Sequence, residues 1–195
     1  MKRLFDIITS LLALILLLPV ILIVSVLIIS DSKGGAFFHQ IRVGRHGREF
    51  KLHKFRTMRP AAESGGQLTV GMRDSRITNI GYTLRRYKLD ELPQLWNILF
   101  GEMSVVGPRP EVPKYVALYS LEQRKVLNIR PGLTDYASIK YVNENEVLEK
   151  SDNPEKTYIE EIMPEKLQLN LKYLEDQNLF TDLKILFDTL KAIFR

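Results

Sequence analysis

Residues 7–30 read IITSLLALILLLPVILIVSVLIIS, and this uncharged stretch decides the first question about the fold, whether the chain meets a membrane. A bilayer-spanning helix needs about 20 apolar residues, and this stretch is longer. A cleaved signal peptide is the competing interpretation, but its apolar core is shorter, and Ile28-Ile29-Ser30 lacks the small-x-small cleavage pattern. We therefore predict that the segment stays on the chain and contacts lipid.

Pro19 lies in the middle of this stretch, and its ring and missing N–H should kink or break a helix there. Lys2 and Arg3 precede the stretch, and many lysines and arginines follow it between Lys33 and Arg59. Because basic flanks stay in the cytoplasm, the side that follows is predicted to be cytoplasmic. Two arrangements remain open: a straight helix that crosses the bilayer, or a hairpin broken at Pro19 that enters and leaves on the cytoplasmic face.

The composition predicts one globular domain, since 195 residues with 45% hydrophobic side chains suffice for one core. The formal net charge of +5 indicates an anionic partner: nucleic acid, a membrane surface or a phosphorylated small molecule. Cysteine is absent, which excludes disulfides and thiolate metal sites. The three histidines, His39, His46 and His53, lack the spacing of a zinc site, and neither common glycine-rich phosphate loop occurs.

Residues 88–97 read KLDELPQLWN and carry two adjacent carboxylates, Asp90 and Glu91. Pro93 is tolerated in a first helical turn, so a helix is predicted to begin near residues 89–92 and to end at Gly101. The simplest interpretation is that both acids stabilise the helix N-terminus, an effect worth about 0.3–1 kcal/mol at an exposed site. The cations elsewhere in the chain favour a chemical role instead.

Those cations lie on segments with a predicted structure. Arg109 stands between two prolines after a buried strand at 103–106, so its backbone is stiff. In phosphoryl chemistry cations neutralise phosphate oxygens, one carboxylate attacks phosphorus and another holds Mg²⁺. The spacing alone does not bring the groups together. The candidate cations are Lys54, Arg56, Arg85, Arg109 and Arg130.

A β-hairpin is predicted over residues 37–58, with its turn at Gly44-Arg45-His46-Gly47. Alternation in the second arm places Lys54 on the same face as Phe50 and Leu52. A lysine there either snorkels at an edge or turns toward an anionic ligand, and the pattern favours snorkelling. A helix from about Thr78 is predicted to carry Arg85 toward the two acids.

Three further segments complete the chain. Residues 61–76 are polar and glycine-rich, which predicts a mobile loop. Residues 142–166 are acidic, and they form either a solvated surface of helix and loop or a lid over a site. Residues 179–195 repeat leucines at helical spacing and predict an amphipathic helix. Its apolar stripe packs either on the domain core or at a membrane interface.

In combination, these segments resemble the bacterial sugar transferases of the monotopic phosphoglycosyl transferase family. The resemblance covers nearly the full length, and the motifs in this order are highly specific, although each alone is weak. After a basic start and a proline-broken apolar segment come KFRTM (54–58), LDELPQLWN (89–97), GEMSVVGPRP (101–110), RPGLT (130–134) and TDLKILFDTL (181–190).

The resemblance implies a small α/β-type catalytic domain on a re-entrant, proline-broken N-terminal membrane helix, with amphipathic interfacial helices. The expected boundaries are 1–32 for the membrane-embedded helix, 33–178 for the cytoplasmic catalytic domain and 179–195 for the C-terminal amphipathic helix. The expected location is the bacterial inner membrane, with the catalytic domain on the cytoplasmic face. A homodimer is left open, and no nucleic-acid partner is expected.

The resemblance also implies transfer of a sugar-1-phosphate from a UDP-sugar to polyprenyl (undecaprenyl) phosphate with release of UMP, the first membrane step of glycan assembly. In a ping-pong mechanism Asp90 would form an aspartyl phosphosugar, and Glu91 together with Asp90 would bind Mg²⁺. Pro19 would mark the membrane break, and inner-membrane lipid would be a partner. The phosphate and substrate contacts would come from Lys54, Arg56, Arg85, Arg109 and Arg130.

Two positions depart from the family pattern. Leu18 precedes Pro19 where the family often has a polar residue, so the angle of the hairpin is expected to differ. After RPGLT the family commonly continues with Gly, an apolar residue, Ala and Gln, whereas this chain continues with residues 135–138, DYAS. Nucleotide or sugar recognition is expected to differ there, and the identity of the sugar does not follow from the sequence.

Two other functions compete with this one. A membrane-anchored basic module that binds anionic lipid or nucleic acid without catalysis would use the basic residues 42–59. That hypothesis gives no role to Asp90 and Glu91 or to the stiff flanks of Arg109. The same site could also hydrolyse nucleotide sugars without an acceptor. The transferase hypothesis accounts for more of the chain.

Overall fold

The computed structural model describes residues 1–59, 71 and 74–193, which form a mixed α/β domain preceded by a long helix. A π-helical turn at Tyr158–Ile162 joins two of the helices, and 3-10 turns occur at Arg45–Gly47, Leu89–Glu91 and Gln123–Asn128. The strands are β1 (Phe37–Val43), β2 (Glu49–Phe55), β3 (Ser104–Val106) and β4 (Gly132–Thr134). The helices are α1 (Lys2–Asp31), α2 (Asn79–Arg86), α3 (Gln94–Phe100), α4 (Pro113–Val116), α5 (Tyr136–Lys140), α6 (Glu144–Glu149), α7 (Pro154–Thr157), α8 (Met163–Asp176) and α9 (Leu179–Ile193).

The strands form two small sheets, one antiparallel and one parallel. β1 and β2 pair as a hairpin with Phe37 opposite Phe55. β3 and β4 pair in parallel, and a Cβ on Gly132 would lie 2.1 Å from the backbone nitrogen of Gly107. Only glycine permits that approach. It holds the segment after β3, which carries Arg109, against the turn before β4.

Residues at both ends of α1 form hydrogen bonds with the domain. Near its start, Arg3 donates to the last carbonyls of α3, and the buried Asp6 carboxylate accepts from the Val105 amide at 3.0 Å. At its other end, Asp31 accepts from the Ile80 amide of α2 at 3.0 Å. Of the helices in the described residues, α1 is the one long and apolar enough to cross a membrane. The helix continues through Pro19, so a break there is not confirmed and a bend there stays a prediction.

The C-terminal helix α9 packs on the domain through a different face from the one that the leucine pattern suggests. Its buried residues are Thr181, Asp182 and Ile185. The predicted stripe lies outside, and the interpretation that it packs on the domain core is wrong for most of its members. The exposed fractions are 48% for Leu179, 79% for Phe180, 49% for Leu183, 60% for Phe187 and 56% for Leu190.

Several other predictions from the sequence are confirmed. The hairpin, the strand within 103–106, the helix that follows Thr78 and the helix that ends at Gly101 are all present, and Gly101 ends its helix with φ +89°. The mixed α/β class is confirmed as well. The acidic residues 142–166 form α6, α7, the π-helical turn and the start of α8. Most of the predicted loop at 61–76 lies outside the described residues.

Candidate active site

Asp90 and Glu91 lie in a 3-10 turn, Leu89–Glu91, that leads into α3. Lys88 begins this turn with φ 56°, a left-handed conformation that is uncommon for a non-glycine residue. Pro93 follows with helical dihedral angles as the N-cap of α3. The two carboxylates therefore stand at a helix start, as the sequence predicts.

Asp90 is buried, with 7% of the residue exposed. No group in the described part of the chain donates a hydrogen bond to its Oδ1. Burial disfavours the charged form and raises the pKa of Asp90 above its usual range, while the positive charge of Lys54 opposes the shift. A desolvated carboxylate with a free oxygen suits a nucleophile better than a capping residue.

Glu91 has the opposite environment. Arg109 donates two hydrogen bonds to its carboxylate, one of them at 3.2 Å, and the Lys54 ammonium lies 3.6 Å away. Burial alone would raise the pKa of Glu91, but the charges of Arg109 and Lys54 outweigh burial and hold this pKa well below its usual range. Glu91 is therefore ionised at neutral pH, next to an acid whose pKa is shifted upward.

Lys54 turns inward rather than toward solvent, with 18% of its side chain exposed. The snorkelling interpretation is wrong, because the ammonium is paired with Glu91 of the 3-10 turn Leu89–Glu91. Burial lowers the pKa of Lys54 to about 8, and Glu91 partly opposes that shift. Glu91 also raises the pKa of Arg109 above its usual value.

Arg109 is held by its backbone as well as by its side chain. Prolines flank it on both sides, and its amide donates to Asp135 Oδ2 at 3.0 Å. The other oxygen of Asp135 accepts from the Ser138 amide at 2.6 Å and caps α5. The sequence places Asp135 in the stretch where nucleotide or sugar recognition is expected to differ, but it did not predict the contact with Arg109. The position of Asp135 before a short helix is a recognisable capping signal.

Arg85 reaches the site from the end of α2. Its Nε donates to Thr57 Oγ1 at 3.0 Å, and Thr57 lies just beyond β2. A Cβ on Gly81 would lie 2.1 Å from the Thr57 carbonyl oxygen, so α2 packs directly on that backbone. Burial lowers the pKa of Arg85, whereas the Asp90 charge raises it. The structure therefore brings Lys54, Arg85 and Arg109 to the two carboxylates.

The two remaining candidates make contacts elsewhere. Arg56 donates to the carbonyls of Ser32 at 2.8 Å and Lys33 at 2.6 Å, at the end of α1. Arg130 donates through Nε to the Gly101 carbonyl at 2.8 Å, at the end of α3. Both guanidinium groups thus satisfy helix C-termini. Their phosphate-binding roles stay predictions.

The donor set for a metal ion is small. Among residues 1–59, 71 and 74–193, no group of three or more His, Asp or Glu side chains is arranged to hold a metal. Asp90 and Glu91 provide adjacent carboxylates, and Mg²⁺ is often held by one or two carboxylates together with substrate phosphates and water. The free Asp90 oxygen fits that mode of binding.

The comparisons with known proteins agree with one another. The family model described as bacterial sugar transferase matches residues 1–195. The chain is 38% identical over 192 residues to a UDP-glucose:undecaprenyl-phosphate glucose-1-phosphate transferase of Klebsiella pneumoniae, covering 96% of this chain and 39% of that protein. It is 35% identical to the exopolysaccharide production protein ExoY of Sinorhizobium fredii, covering 98% and 84%. It is 32% identical to a UDP-N-acetylgalactosamine-undecaprenyl-phosphate N-acetylgalactosaminephosphotransferase of Aeromonas hydrophila, covering 98% and 43%.

Proposed function

The chain belongs to the bacterial sugar transferase family, and on that premise we propose that it moves a sugar-1-phosphate from a UDP-sugar to polyprenyl phosphate and releases UMP. The observation that carries the proposal is the contrast between two neighbouring carboxylates. Asp90 is buried with an oxygen that the described residues leave unbonded, while Glu91 is bound by Arg109 and Lys54. Environments that push the pKa values of two acids apart assign them different roles.

In the first step an Asp90 carboxylate oxygen attacks the β-phosphorus of the UDP-sugar. The bond from that phosphorus to the bridging oxygen breaks, and UMP leaves with the oxygen. Asp90 then carries the sugar phosphate as an acyl phosphate. Lys54, Arg85 and Arg109 would contact the phosphate oxygens, whose negative charge they offset.

In the second step a phosphate oxygen of the polyprenyl phosphate attacks the same phosphorus. The bond to Asp90 breaks, which restores the carboxylate and yields a polyprenyl diphosphate sugar. Because the two substrates react in turn, the two anionic phosphates need not occupy the site together. Arg109 keeps Glu91 ionised through both steps.

Mg²⁺ is the cofactor that this donor set fits. Asp90 and Glu91 would hold it together with the phosphates of the substrate. When bound, Mg²⁺ neutralises charge on the phosphoryl oxygens.

The membrane arrangement follows from contacts at the two ends of α1. Arg3 and Asp6 bind the domain at one end, and Asp31 binds it at the other. A hydrocarbon core about 30 Å thick cannot lie between two ends that the same domain holds. This supports a re-entrant helix with both ends on the cytoplasmic face of the inner membrane. The exposed apolar stripe of α9 would rest on the same interface.

Intact-protein mass spectrometry tests the proposal directly. The detergent-solubilised protein is mixed with Mg²⁺ and, in turn, UDP-glucose, UDP-galactose, UDP-N-acetylglucosamine and UDP-N-acetylgalactosamine, without acceptor. We expect a mass gain of one phosphosugar with one of these donors, matched by UMP release. Asp90→Asn should lose both signals. UMP release from Asp90→Asn at the wild-type rate would overturn the nucleophile assignment, and UMP release without adduct or acceptor would indicate hydrolysis.

A further inference from the structure

A polar cavity of about 160 Å³ lies on the side of Arg109 that faces α6 and α8. One water needs only about 10–15 Å³ of such space, so the cavity has room for a larger ligand. Arg109 forms part of the wall and links the cavity to Glu91. The other polar groups in the wall have no part in the two steps above. They are Arg42, Glu111, Glu144, Asn145, Tyr158 and Lys166.

These groups carry opposite charges in neighbouring pairs. Arg42 lies 3.2 Å from Glu111, and Lys166 lies 2.7 Å from Glu144. The Tyr158 hydroxyl donates to Glu111 as well. Tyr158 is buried and the four charged side chains are at most about a quarter exposed, so the wall offers half-buried donors and acceptors side by side.

We propose that this cavity binds the sugar ring of the nucleotide sugar through its hydroxyl groups, an inference that rests on the proposed function. Each hydroxyl group both donates and accepts hydrogen bonds. Glu111 and Glu144 can accept hydrogen bonds from the hydroxyl groups of a sugar ring. Arg42 and Lys166 can donate hydrogen bonds to the same groups. A group that carries only negative charge would meet the two carboxylates at close range.

The cavity suits the sugar of the UDP-sugar better than its nucleobase. The diphosphate is assigned to Lys54 and Arg85, which do not line the cavity, and to Arg109, which forms part of its wall. The rings of Tyr115 and Tyr158 pack against each other with centroids 4.9 Å apart, and each residue is 3% exposed. Neither ring therefore offers an open face on which a base could stack.

The position of Arg109 supports the same assignment. Its guanidinium binds Glu91 beside the proposed nucleophile, and its side chain also lines the cavity. The sugar is bonded to the β-phosphate that Asp90 attacks. A ring attached to that phosphate extends past Arg109 into this space.

Tyr158 begins the π-helical turn, and Lys166 lies in the helix α8 that follows it. Pro164, the second residue of α8, has no N–H and cannot donate a hydrogen bond to a carbonyl of the preceding turn. The preceding turn is the π-helical turn Tyr158–Ile162. Such turns are frequent at functional sites. A second cavity, a chamber of about 30 Å³, is also lined by Tyr158 and Lys166 and by the buried Asn170, whose Oδ1 accepts no hydrogen bond from the described residues. The chamber has room for about two waters.

The test separates the sugar from the nucleotide. Lys166→Met, Glu144→Gln and Tyr158→Phe are compared with wild type using the UDP-sugar that wild type turns over fastest. UDP, which lacks the sugar, is used as an inhibitor of the same proteins. We expect KM for the UDP-sugar to rise about tenfold or more in Lys166→Met and in Glu144→Gln, because each loses a charge-assisted hydrogen bond to the sugar. In Tyr158→Phe the same KM should rise severalfold. The inhibition constant of UDP should stay within about twofold of wild type.

Matched controls come from a second Lys–Glu pair outside the cavity. Lys114 and Glu155 form an exposed ion pair, so Lys114→Met and Glu155→Gln should keep wild-type kinetics. Tyr158→Phe removes a single hydroxyl and remains informative if a charge variant fails to fold.

Three results would overturn the assignment or its premise. An unchanged KM in all cavity variants with wild-type folding would mean that the charged pairs only hold α6 to α8. An equal loss of UDP binding would place the nucleotide in the cavity. If wild type releases no UMP from any of the four donors, even with polyprenyl phosphate present, the proposed function itself fails before any variant is measured.

Discussion

Glu91 and Arg109 are joined by two hydrogen bonds across 18 residues of chain. Arg109 thus neutralises Glu91, while Asp90, its immediate neighbour, is left with an oxygen to which the described residues donate no bond. The two adjacent acids therefore differ in protonation, because burial raises the pKa of Asp90 whereas the charges of Arg109 and Lys54 outweigh burial at Glu91 and lower its pKa. The difference leads to opposite expectations for their variants.

Asp90→Asn and Glu91→Gln should differ in stability although both remove one carboxylate. A buried carboxylate whose Oδ1 accepts no hydrogen bond from the described residues stabilises little, so the free energy of unfolding of Asp90→Asn should lie within about 1 kcal/mol of wild type. Glu91→Gln leaves Arg109 and Lys54 without their counter-charge and should cost about 3 kcal/mol, at the lower end for a broken buried pair because Arg109 is still 31% exposed. Urea denaturation measures both. Equal losses would contradict the different roles given to the two acids.

The pH dependence of kcat/KM should be bell-shaped. Asp90 attacks as the ionised carboxylate, and its pKa is raised by burial, so activity should fall as pH drops through a value above the usual carboxyl range. Lys54 binds phosphate as the ammonium ion, and its pKa is about 8, so activity should fall again as pH rises through about 8. Lys54→Arg keeps its charge in alkali and should remove the alkaline limb. An alkaline limb that is unchanged in Lys54→Arg would assign it to another group.

Much of the local structure could be predicted from sequence because short-range physics determines it. Pro93 and Gly101 bound α3, Thr78 caps α2, and alternation sets the hairpin. The face of α9 could not be predicted in this way. Its leucines are regularly spaced, but the buried Asp182 is bound by Lys2 at 2.5 Å and by Tyr173 at 2.6 Å, and these contacts turn the polar side inward.

The candidate site was predictable in its members but not in its pairings. Lys54, Asp90, Glu91 and Arg109 were all candidates, and the structure brings them together. Alternation places Lys54 on the face of Phe50 and Leu52 and favours snorkelling there, because a two-residue period says nothing about an acid on a later segment. For the same reason the sequence could not tell a guanidinium that faces the site from one that caps a distant helix.

Asp135 should act on the reaction by positioning Arg109. The Asp135 carboxylate accepts one hydrogen bond from the Arg109 amide and one from the Ser138 amide. In Asp135→Asn one of these oxygens becomes an NH₂ group, which cannot accept, so one of the two hydrogen bonds is lost. We expect a loss of about 1–2 kcal/mol in stability and about a tenfold lower kcat/KM. Asn178→Ala, which removes the side-chain acceptor of the Thr181 amide at the start of α9, is the matched control.

The two variants should lose similar stability and differ in kinetics. Asn178→Ala should keep the kcat/KM of wild type, because its side chain bonds the start of α9 and no residue of the candidate site. A fall in kcat/KM of the same size in both would mean that Asp135 acts only through stability. The alkaline limb of the pH profile should stay in place in Asp135→Asn, since Lys54 is untouched.

A variant of Arg56 should change the stability of the protein without changing its binding of the UDP-sugar. Its guanidinium donates to the carbonyls of Ile28, Ser32 and Lys33, where α1 ends. Arg56→Lys keeps the positive charge but cannot make this set of bonds, so it should destabilise the protein by about 1–3 kcal/mol. KM of Arg56→Lys for the UDP-sugar should stay near the wild-type value. Arg85→Lys should raise this KM severalfold, because the charge of Asp90 acts on Arg85 and raises its pKa. A rise in KM for Arg56→Lys as large as that for Arg85→Lys would restore Arg56 to the phosphate contacts that the sequence predicts.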